Sequence, residues 1–316
     1  MDFIFVALGL IILVLAGDSL VKGAVNLALR VGIPALIVSL TIVAFGTSAP
    51  ELLVSIAAIE DDAPGLAIGN VVGSNVANIL MVLGVPALIA TIHTNTSDTR
   101  RSFLQMLAAT ALFIVVCFLQ PITWMHGLVL LAALAWMLMD AARQARAHRA
   151  AGIGAEEEEE DPEGADPDIP WWKIILFLVL GLVGLPLGAD LLVDSSVNIA
   201  RAYGVSEAVI GLTLVAFGTS LPELATVVMA AIRNQADVAL GNVIGSNMFN
   251  LLAIIGVASF FAPIPVEAKF LYRDLWVMAG VTLLLLPFAF QKLNINRPIG
   301  AALTALYVVY VVSLLN

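Results

Sequence analysis

Two glutamates stand in almost the same words. Glu51 closes "AFGTSAPE" at 44–51, and Glu223 closes "AFGTSLPE" at 216–223. Both phrases lie inside apolar stretches long enough to cross a bilayer core of about 30 Å. An ionised carboxylate at that depth costs at least about 2.5 kcal/mol unless something compensates. The neighbours offer compensation of one kind, oxygen. Pro50 and Pro222 have no N–H, and each ring clashes with the carbonyl four residues back, at Gly46 and Gly218. The helix is expected to break there and to free the carbonyls around Ala44 to Thr47. Unwound backbone at membrane depth is tolerated only where protein buries it or where it lines a cavity.

A second doubled phrase adds to the inventory. In "GNVVGSNVAN" (69–78), Ser74 and Asn78 are four apart and share one helix face; Ser246 and Asn250 do the same in "GNVIGSNMFN" (241–250). Gly69, Gly73, Gly241 and Gly245 would let a neighbouring helix approach closely, and the broken helices are the expected partners. The converging groups are then two carboxylates, the hydroxyls of Thr47, Ser48, Ser74, Thr219, Ser220 and Ser246, the amide oxygens of Asn78 and Asn250, and freed carbonyls. The one cysteine, Cys117, and the three histidines, His93, His126 and His148, stand apart from these phrases. All-oxygen ligation suits hard cations such as Ca²⁺ and Na⁺ and disfavours zinc or copper. A single intramembrane glutamate could serve only as glue between helices, and the glycine phrase alone could be small-residue packing. Two mirrored copies of both favour a cation site.

The elements that must position these groups follow from composition. Hydrophobic residues make up 61% of the 316 and charged residues 12%, half the charged share of an ordinary soluble domain. Ten apolar segments are expected, at 3–27, 33–59, 65–91, 102–119, 122–142, 171–200, 205–232, 237–262, 274–291 and 298–315. Residues 143–170 begin with "RQARAHR", turn acidic at Glu156 to Glu160 and hold Pro162, Pro167 and Pro170, so they read as a solvated linker. The acidic run lacks the spacing and glycine turn of a calcium loop and reads as a tether. The chain thus divides into 1–142, a linker at 143–170, and 171–316. The partners expected are the bilayer and the cations. No nucleic acid is expected, since no basic groove is visible, and no protein partner is required, so a monomer would suffice.

The two parts are copies. At a constant offset of 172, Asp18 matches Asp190, Asn26 matches Asn198, Gly32 matches Gly204 and "VAFGTS" recurs unchanged; the register holds from 18 to 84. Five crossings per copy is an odd number, so the second copy must enter from the opposite side and the repeats are inverted. Charges agree. With the N-terminus outside, all Lys and Arg except Arg201, Lys269 and Arg273 fall inside. The loop "IEDDAPG" (59–65) falls outside, while its copy "AIRNQAD" (231–237) falls inside and carries Arg233. Asp18 has Lys22 four residues on, a favourable ion-pair spacing, and reads as structural; Asp194 replaces that lysine in the second copy.

"GTSAPE" with "GSNVAN", repeated as "GTSLPE" with "GSNMFN", resembles the two alpha-repeats of the sodium/calcium exchanger family in the cation/calcium antiporter superfamily. The resemblance implies an all-α polytopic membrane protein of ten helices in two inverted five-helix repeats. Helices two and seven would be broken, and the long helices one and six would slide across a core of two, three, seven and eight. It implies Ca²⁺ bound centrally by Glu51 and Glu223. It further implies carbonyl ligands at Thr47 and Thr219, flanking Na⁺ sites at Ala44 and Ala216, and ligands at Ser48, Ser220, Ser74, Asn78, Ser246 and Asn250. Potassium-dependent relatives carry Asp where this chain has Asn250, which argues against K⁺ co-transport. The expected activity is Na⁺/Ca²⁺ antiport across a bacterial inner membrane, with no cofactor. Proton-coupled exchange is the first alternative, because desolvated Glu51 and Glu223 could carry H⁺. An intramembrane hydrolase using Ser48 or Ser220 lacks a histidine at membrane depth. A channel would leave the paired breaks unexplained.

Overall fold

The computed structural model describes residues 2–94, 99–150, 166, 169–204, 218–291 and 293–315. It is helical throughout, and the β-type contacts among the described residues are isolated bridges, Ile92 with Ile295 and Ile122 with Ile264. In chain order the helices are α1 (Asp2–Val31), α2 (Ala35–Thr47), α3 (Ala49–Glu60), α4 (Pro64–Ile89), α5 (Arg100–Phe118), α6 (Trp124–Ala150), α7 (Trp171–Ala202), α8 (Leu221–Ile232), α9 (Ala236–Ala258), α10 (Phe270–Phe290) and α11 (Arg297–Leu315). Eight are long and apolar enough to cross a membrane, and the bent pair α2–α3 makes a ninth span among the described residues. The seventh expected segment, 205–232, is described only from Gly218 onward, including α8.

The helix ends fall close to the expected boundaries except at α6. That helix runs through Arg143, Gln144, Arg146 and Arg149 to Ala150, eight residues into what the sequence assigns to the linker. Alanine, arginine and glutamine are strong helix formers, and a helix already nucleated in the membrane extends at little cost. The acidic run at 156–160 lies outside the described residues.

Matched positions in the two copies share unusual backbone geometry. Gly32 and Gly204 both sit at positive φ (72° and 77°), as do Asp62 and Asn234 (both 55°). Glycine takes that region without penalty, which explains its recurrence after α1 and α7. Ile92 and Ile264, also 172 apart, each pair with the opposite copy.

Two kinds of packing divide the molecule. α4 and α9 form the interior: 78% of the span of α4 and 94% of that of α9 are buried, against 11% for α11. Gly241 and Gly245 let α9 press on α2. A Cβ at Gly245 would lie 2.5 Å from Leu40 O and 2.6 Å from Ala44 Cβ, so the expected contact with a broken helix is made. Gly69 lies beside Phe270, and the broken-helix residues expected against Gly69 and Gly73 lie outside the described residues.

α1 and α7 form the second unit. They run antiparallel in close contact: a Cβ at Gly9 would meet Gly188 O at 2.9 Å, one at Gly181 would meet Leu20 Cβ at 2.5 Å, and one at Gly184 would meet Ala16 Cβ at 2.8 Å. At 30 and 32 residues they are about 45 and 48 Å long, well beyond the hydrocarbon thickness, so tilting or protrusion must absorb the excess. Their seam with α2 and α8 mixes alanines (Ala16, Ala24, Ala28 and Ala189) with larger apolar side chains, among them Leu13, Leu20, Val38, Val43, Leu185 and Leu221. One ion-pair cluster ties α1 to the end of α8. Asp18 bonds Lys22 at 2.9 Å, as its spacing predicts, and also Arg233.

Candidate functional site

The site is built where α2 gives way to α3. Helix α2 contains a π-wound turn at Ser39–Val43 and stops at Thr47; Ser48 leaves helical geometry (φ −87°, ψ 5°), and α3 resumes with Pro50 in its first turn. The two pieces are bent by 41°. Pro50 has no N–H for Gly46, so the ladder fails there, as the sequence predicts. One detail differs. The Ala44 carbonyl is not freed: it accepts the Ser48 N–H at 3.0 Å, and Thr47 Oγ1 lies 3.4 Å away. The Ala44 carbonyl stays in the ladder, and the break falls on Ser48, within the stretch 44–50 where it is expected. In the second copy Ser220 has the same geometry (φ −88°, ψ 4°) at the start of α8. Ala216, the counterpart of Ala44, lies outside the described residues.

Both glutamates are buried, each 1% exposed, and each lies in the first turn of a helix, α3 for Glu51 and α8 for Glu223. A helix N-terminus favours negative charge, so the proline break also offers a partial positive end to the carboxylate. Glu51 lies within electrostatic reach of Glu223. Glu223 Oε1 accepts Ser48 Oγ at 3.1 Å and Ser246 Oγ at 3.5 Å. Thr47 Oγ1 donates to Asn242 Oδ1 at 3.2 Å and lies 3.5 Å from Ser246 Oγ. Thus Thr47 and Ser48 from the first copy meet Glu223, Asn242 and Ser246 from the second.

The remaining expected groups are placed less uniformly. Ser74, Asn78, Ser220 and Asn250 are buried, and Thr219 is partly buried. Asn78 Nδ2 donates to Asn247 Oδ1 at 3.1 Å. Several oxygens are buried without a partner among the described residues: Oε2 of both glutamates, Asn78 Oδ1, Asn250 Oδ1 and the hydroxyls of Thr219 and Ser220. A buried polar atom left unpaired costs about 1–3 kcal/mol. So many unpaired acceptors in one neighbourhood fit a cation, which satisfies oxygen lone pairs without supplying protons. Among the described residues no three His, Cys, Asp or Glu side chains gather to hold a metal. Neutral oxygens must therefore supply most ligands to any ion here.

Sequence reasoning missed Asn70 and Asn242, which are copies of each other. Asn70 Nδ2 donates to the Glu51 carbonyl at 3.1 Å and to Ser55 Oγ at 3.0 Å, and Asn242 receives Thr47. The signal was present: Asn70, Ser74 and Asn78 are spaced by four, so the face that selected the latter two extends back one turn.

The sodium/calcium exchanger protein family matches residues 1–139 and 173–316, both copies of the repeat and nearly the whole chain. The chain belongs to the sodium/calcium exchanger family. This family member is 38% identical over 311 residues to the putative antiporter CaxA of Alkalimonas amylolytica, covering 97% of this chain and 96% of that one. It is 33% identical to the sodium/calcium exchanger MaX1 of Methanosarcina acetivorans, covering 99% and 98%. Among solved structures it is similar to the sodium-calcium exchanger NCX_Mj, with a TM-score of 0.83 at 34% identity over 98% of this chain and 97% of that one. The inner membrane protein YrbG of Escherichia coli, 33% identical, covers 97% of this chain.

Proposed function

We propose that this family member is a secondary antiporter that exchanges Na⁺ for Ca²⁺ across the bacterial inner membrane by alternating access. One observation carries the reading: Ser48 of the first copy reaches the buried carboxylate of Glu223 in the second, beside unpartnered oxygens from both copies. The proposed ion ligands are Glu51, Glu223, Ser48, Ser220, Ser74, Asn78, Ser246 and Asn250, with carbonyls at Thr47 and Thr219 and flanking Na⁺ positions at Ala44 and Ala216. Two fixed negative charges balance one Ca²⁺ or an equivalent charge of Na⁺, and both at once would leave excess positive charge in a desolvated site. Each ion must leave before the other is carried, and that requirement is exchange.

The proposed architecture is ten crossings in two inverted five-helix repeats, at 1–142 and 171–316. The antiparallel contact of α1 with its copy α7 supports the inversion. The N-terminus is proposed outside and residues 143–170 in the cytoplasm. The proposed motion is a slide of α1 and α7 along their apolar seam with α2 and α8.

Asn250 leads to a K⁺-independent cycle. A K⁺ beside Ca²⁺ would set three positive charges against two carboxylates, and the excess costs on the order of several kcal/mol in a buried site. The test is Na⁺-gradient-driven calcium uptake into proteoliposomes with K⁺ replaced by choline on both sides. Uptake persists without K⁺, and Asn250→Asp introduces K⁺ sensitivity. Uptake that collapses without K⁺ and returns on its addition contradicts this reading. A protonophore arm separates Na⁺ from H⁺ coupling: sodium-driven uptake survives it.

A further inference from the structure

The sequence places Asn75 and Asn247 beside the proposed ligands Ser74 and Ser246 and gives them no role. They are copies of each other, 172 apart, and each is 1% exposed. Asn247 Nδ2 reaches across to the carbonyl of Asn75 at 3.4 Å, so the copies touch at this point. Asn247 Oδ1 accepts Asn78 Nδ2 at 3.1 Å. An asparagine amide has one end that donates and one that accepts. With Nδ2 committed to Asn247, Asn78 Oδ1 is left as its free end, and it is buried without a partner.

The counterpart bond, from Asn250 Nδ2 to Asn75 Oδ1, is not made. Both of those atoms are buried and unpartnered among the described residues, while Asn75 Nδ2 turns back to Val71 O at 2.7 Å. The backbone gives a reason for the difference. Asn78 lies in the regular α-helix Pro64–Leu80, whereas Asn250 lies in a π-wound turn, Phe249–Ile254. Widening one turn changes the direction of the side chains it carries, and π turns recur at functional sites. Equivalent sequence thus occupies two settings in one molecule.

We propose that Asn75 and Asn247 are positioning residues that orient the amides of Asn250 and Asn78, one bond at a time. The Asn78–Asn247 bond seen here is exchanged for Asn250–Asn75 when the carrier faces the other way. Each amide then turns its oxygen to the ion in only one of the two states, so the ligand set changes with the direction of access.

The proposal rests on Asn78 being an ion ligand, and the test separates the two claims. The Michaelis constant for Ca²⁺ and the turnover are measured on each face of proteoliposomes holding Asn78→Ala, Asn247→Ala, Asn75→Ala and the Asn78→Ala/Asn247→Ala double variant. Asn78→Ala and Asn247→Ala each raise the constant about tenfold, the worth of one hydrogen bond. The double variant is no worse than Asn78→Ala alone, since Asn247 acts through Asn78. Asn75→Ala raises the constant on the opposite face. Asn247→Asp keeps the acceptor for Asn78 Nδ2 and does not weaken binding, which covers the case where the alanine variant fails to fold. Effects of Asn78→Ala and Asn247→Ala that multiply, or Asn75→Ala and Asn247→Ala acting on the same face, overturn the proposal. An Asn78→Ala variant with wild-type kinetics overturns the ligand reading beneath it.

Discussion

The two glutamate sites share a sequence and differ in structure. Glu223 receives hydroxyls from Ser48 and Ser246. Their copies are Ser220 and Ser74, and among the described residues the Ser220 hydroxyl stays unpartnered, while Oε2 is bare in both glutamates. Instead Asn70 holds the backbone carbonyl of Glu51. The hinge serines have the same φ and ψ to within a degree, so the difference does not arise at the hinge serines themselves. Two nearly identical phrases in unlike surroundings are what a carrier with two opposed states needs. If the surroundings exchange as access switches sides, one sequence serves both states.

The largest expected effect comes from removing the charge of one of the two sites. Glu51→Gln or Glu223→Gln removes half the fixed charge with little change of shape, and transport falls at least about a hundredfold in either variant. Near-normal calcium flux in one of them would show that the sites are not partners.

Hydroxyl removal sharpens the comparison. Ser48→Ala strips one donor from Glu223, a charged hydrogen bond worth about 1.5–3 kcal/mol, and apparent calcium affinity drops about tenfold or more. Ser220→Ala makes no contact worse in the present state, yet steady-state exchange should fall by a similar factor, because the cycle visits both states. Loss confined to Ser48→Ala would mean that the surroundings do not exchange.

The next test concerns the frame around the sites. Gly245→Ala drives a methyl into Leu40 O and Ala44 on α2, and overpacking of this kind costs about 1–3 kcal/mol. A lowered melting temperature in detergent is the expected readout. The smallest effect belongs to Asp18→Asn. Its ion pairs with Lys22 and Arg233 are partly exposed, and such pairs contribute about 1 kcal/mol or less. Transport should stay within about twofold of wild type; a loss equal to that of Glu51→Gln would move α1 into the ion pathway.

Much of this was legible before any coordinates. Apolar run length located the membrane segments, and the constant offset of 172 paired Gly32 with Gly204 and Glu51 with Glu223. Proline chemistry placed the break within residues 44–50, where it falls on Ser48. What escaped depended on tertiary placement. The Asp18–Arg233 pair joins groups 215 residues apart, and no periodicity announces it. The α6 overrun escaped because charge and proline content marked the linker, while helix propensity carried the helix past its membrane exit. Asn70 and Asn242 were visible in spacing but silent in type, since an asparagine in a glycine-rich phrase reads equally as packing. The asymmetry between the copies escaped because the site residues match in type at Ser48/Ser220, Glu51/Glu223, Ser74/Ser246 and Asn78/Asn250, so their types alone do not say which copy makes which contact.

The central claim is that a sodium gradient drives calcium through a site of two buried glutamates. The most direct measurement is calcium uptake by proteoliposomes loaded with Na⁺ and diluted into Na⁺-free medium, with wild-type protein and Glu223→Gln side by side under protonophore. Uptake by the wild type that vanishes when the gradient is abolished, and no uptake above empty liposomes by Glu223→Gln, is the predicted result. Calcium uptake indifferent to the sodium gradient, or retained by Glu223→Gln, would contradict the account.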